Sequence, residues 1–299
     1  MKPYIYYPGC SLEGSAKEYD AATRAFLSLM AVELVELDDW TCCGATAAAS
    51  HSRLLSLVLP ARNLALAEKI APGADILVPC SACYLNLKQA WHAAESDRSV
   101  LAQLNVVLAE EGLVLTGGNA VRHLLDVLTT DIGPTRIAAG VSRPLDGLTI
   151  APYYGCQCLR PFIVFDDPET PVSMEGLISA CGADVYRWAM GPACCGASHM
   201  NTKMDVGLTL SGAILQAAEG ADAIVTVCPM CQMNLEAYQG KLSRYHGRSL
   251  EKTVIYLPQL LGLASGLSEK AVGLDLNLAV TDTFRSRLHR GDNALAAAG

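Results

Sequence analysis

The chain has no run of about 18 consecutive apolar residues, the length a membrane-spanning helix requires, although 51% of its 299 residues are apolar. Direct membrane insertion is therefore not expected, and disorder is excluded by the same apolar content. Positive charge is scarce: 22 Lys and Arg stand against 30 Asp and Glu, for a formal net charge of −8. Without a basic stripe to neutralise phosphates, nucleic acid is not an expected partner. No G-x-G-x-x-G follows a predicted strand, so the chain carries no flavin or nicotinamide fingerprint and needs an outside electron partner for any redox work. The opening Met1-Lys2-Pro3-Tyr4 lacks the apolar stretch and small-residue cleavage site of an export signal, which gives a cytoplasmic location as the expectation.

Cysteine, by contrast, is plentiful, with twelve in the chain. In a reducing compartment, clustered cysteines point to metal binding or redox chemistry rather than to disulfides. Two pairs, Cys42-Cys43 and Cys194-Cys195, are adjacent in sequence, and neighbouring cysteines bridge to each other only with backbone strain.

Three cysteine-bearing segments occur twice, in the same order. Tyr6-Tyr7-Pro8-Gly9-Cys10 returns as Tyr153-Tyr154-Gly155-Cys156, and Cys42-Cys43-Gly44-Ala45-Thr46 as Cys194-Cys195-Gly196-Ala197-Ser198. Cys80-Ser81-Ala82-Cys83, with Asn86-Leu87 behind it, returns as Cys228-Pro229-Met230-Cys231 with Asn234-Leu235. The offsets run from 146 to 152 residues, so the chain reads as two copies of one unit. A boundary within Gly133 to Gly147, where Gly, Pro and Arg interrupt the apolar pattern, divides it into residues 1–145 and 146–299.

Each half alternates strand and helix signals. In the first, Tyr4 to Tyr7, Glu33 to Leu37 and Ala74 to Val78 read as strands. Ser15-Ala16-Lys17-Glu18 has the form of a capping box ahead of a helix carrying Tyr19, Ala22, Phe26, Leu29 and Met30. A second helical stretch covers Ser50 to Ile70, with Pro60 starting a new helix or kinking the first. In the second half, Thr149 to Tyr154, Asp184 to Trp188 and Ala223 to Val227 read as strands. The expected fold class is α/β: two homologous repeats, each a small parallel sheet flanked by helices, with cysteines at the C-terminal ends of strands. That end of an open parallel sheet is where ligands collect. Helix N-termini there stabilise thiolates and an anionic cluster, and Gly9, Gly44, Gly155 and Gly196 suit tight turns and close backbone approach.

The candidate metal ligands are Cys10, Cys42, Cys43, Cys80 and Cys83 in the first half and Cys156, Cys194, Cys195, Cys228 and Cys231 in the second. A tetrahedral zinc ion takes four ligands, leaving one cysteine over in each half and the doublets unexplained. An ordinary iron–sulfur cube also takes four thiolates; five per half suggest an unusual cluster. Buried structural cysteines are the plainest alternative, and they explain the repeat least well.

The doubled Cys…Cys-Cys…Cys-x2-Cys pattern resembles the CCG-domain proteins, and most closely the B subunit of heterodisulfide reductase. Ala61-Arg62-Asn63-Leu64, Asp166-Asp167-Pro168-Glu169 and Gln259-Leu260-Leu261-Gly262-Leu263-Ala264 extend the resemblance over nearly the whole chain. It implies two non-cubane [4Fe–4S] clusters, each held by the five cysteines of one half. It also implies an enzyme subunit that makes or breaks a sulfur–sulfur bond, partnered by a ferredoxin-like C subunit and a flavin-bearing A subunit. Where the methanogen pattern has histidines, this chain has Gln157 and Gln232, and Cys158 is an additional thiol. These departures sit where substrate or protons would approach. They fit better the bacterial heterodisulfide-reductase-like complexes, for which the resemblance implies sulfur carried on a lipoate-binding protein. An electron-transfer subunit without its own substrate is the alternative function, and a zinc-stabilised interaction module a third. His199, four residues after Cys195, is the candidate proton donor, with an ordinary polar residue as the plain reading. Cys181, in an Ala-Cys-Gly-Ala stretch, reads as a small core residue, and Asp166, Asp167 and Glu169 as a solvated loop.

Overall fold

Short apolar runs form the strands. Tyr4–Tyr6 (β1), Leu34–Glu36 (β2), Ile76–Val78 (β3) and Val121–His123 (β4) build one sheet in the order β2-β1-β3-β4. Thr149–Tyr153 (β5), Asp184–Val185 (β6), Ala223–Thr226 (β7) and Thr253–Tyr256 (β8) build a second in the order β6-β5-β7-β8. Every neighbouring pair is parallel. The computed structural model describes residues 2–45 and 47–289; Met1, Thr46 of the first doublet motif and residues 290–299 lie outside the described residues. The α/β class and the two parallel sheets flanked by helices are as the sequence leads one to expect.

In both sheets the chain runs outward from the first strand to one side and then returns to the other. This creates a switch point between β1 and β3, and again between β5 and β7, where loops diverge and leave a crevice at the strand ends. Cys10 follows β1 and Cys80 follows β3; Cys156 follows β5 and Cys228 follows β7. Cys80 is the N-cap of helix Ser81–Ser96, and Cys228 that of helix Pro229–Ala237.

The structure corrects several details. Each sheet has a fourth strand, β4 and β8, where three per half were expected. Asp184 to Trp188 contributes only Asp184–Val185. The Ser15–Glu18 capping box does not form: helix Lys17–Leu29 starts after Ala16 with no side-chain cap, and Glu18 is buried. Leu29 is exposed rather than core. Pro60 lies inside one continuous helix, Arg53–Ile70. The segment from Gly133 is a short helix, Gly133–Gly140, followed by a loop.

The halves interlock. One core cluster contains side chains of both, among them Tyr19, Phe26 and Leu128 from the first and Tyr154, Ile178, Tyr256 and Leu260 from the second. His123 pairs with Val78, and Tyr256 with Thr226. Each partner lies two residues before a C-x2-C motif, so His123 and Tyr256 hold equivalent places. Each ring is covered by a ring from the other half. Tyr19 stacks on Tyr256 with centroids 4.1 Å apart, and Phe165 lies parallel to His123 at 6.3 Å. An aromatic pair of this kind adds roughly 0.5–1.5 kcal/mol to its area burial. The Tyr19 hydroxyl also lies 3.1 Å from both Pro79 O and Val227 O and shares its one hydrogen between them; these are the backbone groups just before Cys80 and Cys228.

Glu236, on the second CxxC helix, is buried, and that burial pushes its carboxyl from its ordinary 4.5 up to about 7. Its Oε1 accepts from Ala279 N–H at 3.2 Å and Asn277 Nδ2 at 3.4 Å. The stability contributed by the neutral acid is complete below pH 4.5 and is lost as pH rises through about 7. Glu236→Gln is expected to stabilise the protein at pH 8 by roughly 1–2 kcal/mol and to change little at pH 4.5. Urea unfolding at the two pH values checks this; an equal effect at both would contradict it.

Candidate metal centre

Three segments of each half are latched together by matching contacts. The Tyr7 hydroxyl donates to Thr41 O at 2.8 Å and the Tyr153 hydroxyl to Ala193 O at 2.7 Å, in each case the carbonyl just before the cysteine doublet. Asn86 Nδ2 donates to Cys43 O at 3.0 Å, and Asn234 Nδ2 to Cys195 O at 2.5 Å. The asparagine after each C-x2-C therefore holds the second cysteine of each doublet. The repeated Asn86 and Asn234 were visible in the sequence, but their role was not.

The ten candidate cysteines all line a single cavity of about 160 Å3, together with Ser11, Ser81, Tyr154, Gln157, Ser198 and Met230. A water's share of liquid volume is about 30 Å3, so the space suits a larger group. No Lys, Arg, His, Asp or Glu is among these lining residues. The sulfurs touch in pairs, with Cys43 and Cys83 3.3 Å apart. Among the described residues, no three His, Cys, Asp or Glu side chains form a group that could hold a single metal ion.

Hydrogen bonds among the thiols divide them into donors and acceptors. Hydrogen bonds from Cys42 and then Cys83 hold Cys43 down to about 4. One from Cys156 holds Cys194 down to about 5, with the Gly196 N–H and the His199 charge assisting. Cys228 falls to about 7 through a bond from Cys231 and the N–H groups at the start of its helix. The donors Cys42, Cys156, Cys83 and Cys231 are pushed up by the same bonds and by burial. Each half is thus predisposed to present thiolates into a largely apolar space, which is a cation's environment.

All four motif glycines have φ between +70° and +75°. A Cβ on Gly9 would stand 2.9 Å from Cys83 Sγ, and one on Gly155 3.0 Å from Cys231 Sγ. These two leave room for the sulfurs. Gly44 and Gly196 instead face the helix behind the doublet: their Cβ atoms would meet Leu59 and Ala48, and Gly207 and Leu210. Their N–H groups point at Cys42 Sγ and Cys194 Sγ, at 3.4 Å in both cases. The donor set, ten soft sulfurs with glycines relieved of side chains beside them, fits a thiolate-held cluster of several irons.

The remaining candidates fall outside the cavity lining, with one exception. His199 is exposed on the single turn Ala197–His199. Gln157 does line the cavity, but Gln232 is buried against β8, with Nε2 donating to Val254 O at 2.6 Å, and lies outside the cavity lining. Cys158 is buried and donates to Tyr154 O at 3.2 Å. Cys181 is fully buried, its thiol pushed up to about 12 by burial alone. Asp166 and Asp167 organise their own loop, accepting from Val172, Ser173, Glu169 and Thr170 N–H groups. Ser81 and His123, which sequence reasoning missed, bond to each other at 3.1 Å beside the cavity.

The glycines offer a test. Gly73 also has positive φ, at +76°, with nothing near its missing Cβ. Gly73→Ala and Gly9→Ala should each cost roughly 1–2 kcal/mol of backbone strain. Only Gly9→Ala should also reduce the metal held per chain after anaerobic preparation. Equal metal content in the two variants would contradict the role given to Gly9.

A family model described as a cysteine-rich domain (CCG) matches the chain twice, over residues 4–88 and 150–236. The 8-methylmenaquinol:fumarate reductase membrane anchor subunit of Wolinella succinogenes is 34% identical over 93% of this chain and 97% of that protein. The B subunit of the ferredoxin/F(420)H(2)-dependent CoB-CoM heterodisulfide reductase of Methanosarcina acetivorans is 29% identical over 97% of this chain and 98% of its own length. A protein of Archaeoglobus profundus described as like the heterodisulfide reductase B subunit is 27% identical over 92% and 94%. The crystal structure of a hypothetical protein from Helicobacter pylori shares the fold, with a TM-score of 0.76 at 18% identity over 94% of this chain; this chain spans about half, 52%, of that one. Among the described residues, no helix is long and apolar enough to cross a membrane. With both of its cysteine-bearing halves matched, the chain belongs to the CCG cysteine-rich domain family.

Proposed function

We propose that this chain is the iron–sulfur subunit of a heterodisulfide-reductase-like complex, making or breaking a sulfur–sulfur bond at two non-cubane [4Fe–4S] clusters. Cys10, Cys42, Cys43, Cys80 and Cys83 would hold one cluster. Cys156, Cys194, Cys195, Cys228 and Cys231 would hold the other, in repeats 1–145 and 146–299. The observation that carries the reading is that both sets of five cysteines line the same cavity. Cleaving R–S–S–R′ takes two electrons and two protons and yields two thiols, so two one-electron centres facing one space match the demand. When bound, the clusters supply those electrons and soft iron for sulfur to approach.

The chain's own residues do the rest. Largely apolar walls favour a group that leaves water. Gln157, Ser198 and Met230 line the same space as the sulfurs, where a substrate sulfur would lie. His199, exposed near Cys194, is the candidate proton donor from the solvent side. In this reading electrons pass between the chain and a ferredoxin-like C subunit, itself linked to a flavin-bearing A subunit. A lipoate-binding protein is the candidate sulfur carrier, and the location is cytoplasmic. A second reading, an electron-transfer subunit of a dehydrogenase or reductase complex with no substrate of its own, is favoured by the 34% identity to a fumarate reductase subunit.

Anaerobically prepared protein is expected to carry about eight irons with matching acid-labile sulfide. Stoichiometric zinc without sulfide would contradict both readings. Cys195→Ser should damage one cluster and abolish turnover of the complex, whereas Cys181→Ser should leave iron content and turnover nearly intact. A thiol or disulfide substrate should perturb the electron paramagnetic resonance signal. A signal insensitive to such substrates, in a complex that turns over normally, would select the electron-transfer reading.

A further inference from the structure

Two carbonyls in matching places meet at one hydroxyl. Pro79 O stands just before Cys80 and Val227 O just before Cys228, each at the entrance to a C-x2-C helix. The Tyr19 oxygen lies 3.1 Å from both, so two turns from different halves are tied to a single atom. That atom is itself fixed. Tyr19 is 0% exposed, and its ring stacks on Tyr256 with centroids 4.1 Å apart and planes within 1° of parallel. Its helix, Lys17–Leu29, packs against helix Leu257–Ala264 of the second half. A ring held in a packed core places its hydroxyl with little freedom left to lose.

A second donor from the first half reaches the same carbonyl. Ser81 Oγ lies 3.2 Å from Val227 O. His123 Nδ1 accepts the Leu125 N–H at 3.1 Å, so the ring carries its hydrogen on Nε2. Nε2 donates to Ser81 Oγ at 3.1 Å, which leaves the serine hydrogen for Val227 O. The turn before Cys228 is therefore held by side chains of the other half. Phe165, which covers His123 in the converse arrangement, has no hydroxyl, so the tie is made once.

Resting on the reading of two five-cysteine centres, we propose that Tyr19 couples them: filling one centre prepares the other, and the chain loads both together rather than independently. Metal held by Cys80 and Cys83 orders the turn at Pro79, and metal held by Cys228 and Cys231 orders the turn at Val227. Both turns bond to one fixed oxygen, so ordering either narrows the positions open to the other. The second centre then forms at a smaller entropic cost. By linkage the coupling is reciprocal, and emptying one centre loosens the other by the same factor.

The test is native mass spectrometry of apoprotein reconstituted anaerobically with limiting ferrous iron and sulfide, counting chains with no centre, one and two. At an average of one centre per chain, two independent sites, equal or not, leave about half of the chains or more with a single centre, whereas a coupling of about tenfold lowers that share to about a quarter. Wild type is expected near the lower value. Tyr19→Phe keeps the stacked ring and removes only the hydroxyl, and it should return the share to about half. Tyr6→Phe removes a buried hydroxyl bonded within the first half, to Asp20, and should load as wild type does. A chain that Tyr19→Phe merely destabilised would take up less iron without accumulating singly loaded species. Wild type with half of its chains singly loaded, or Tyr19→Phe protein with the wild-type distribution, would overturn the proposal. Wild type that takes up no second centre at saturating iron and sulfide would instead overturn the two-centre reading, and this proposal with it.

Discussion

Sulfurs packed this closely in a space with little charge around it cannot all ionise together unless cations join them, and the fold exists around that constraint. Like charges a few ångströms apart in a low dielectric repel by several kcal/mol, so the thiols sort into donors and acceptors, with Cys42 and Cys83 bonding to Cys43 and Cys156 bonding to Cys194. Backbone N–H groups supply what positive potential the protein has at these loops. Gly44 and Gly196 each direct one at the first sulfur of a doublet, and the helix following Cys228 adds the N–H groups of Met230 and Cys231. Bringing such groups together without strain requires that the segments bearing them be held from behind. Tyr7, Tyr153 and Asn234 do this through backbone carbonyls, and Asn86 through the Cys43 carbonyl at 3.0 Å with a longer contact of 3.9 Å to the Cys43 sulfur.

The parallel sheet lets the cysteines converge with little irregular chain. Residues 10, 42–43 and 80 are far apart in sequence, yet each follows a strand of one sheet and so emerges at one edge. Duplicating the unit gives a second edge, and the stacked rings Tyr19–Tyr256 and Phe165–His123 turn the two edges toward each other. Rings exchanged between the halves at equivalent places make the interface part of the core. The same pseudo-symmetry is broken where chemistry would notice: His123 answers to Tyr256, Ser81 to Pro229.

That the ten cysteines come together was legible because cysteine is rare, its spacing is repeated, and no core role explains five matched copies. The parallel sheets followed from alternating strand and helix signals. The fourth strands did not: Val121-Arg122-His123 is three residues long with a charge in the middle, below what periodicity can report, though Thr253-Val254-Ile255-Tyr256 carried a β-branched signal. The form of a capping box at Ser15 was misleading because Glu18 is drawn into the interface between the halves. Contacts such as Ser81 with Val227, 146 residues apart, leave no local pattern, so the groups that differentiate the halves appear only in three dimensions. His199 was singled out by its nearness to Cys195 in sequence, and its turn carries it outside the cavity lining.

The central claim is that two multi-iron centres share one cavity, each held by the five cysteines of one half. Diffraction from anaerobically grown crystals at energies on either side of the iron edge tests it most directly. The account predicts two separate groups of four iron peaks within that cavity, one bounded by Cys10, Cys42, Cys43, Cys80 and Cys83 and the other by Cys156, Cys194, Cys195, Cys228 and Cys231. A single metal peak in each half, an edge belonging to zinc, or iron at any other place on the chain would contradict it.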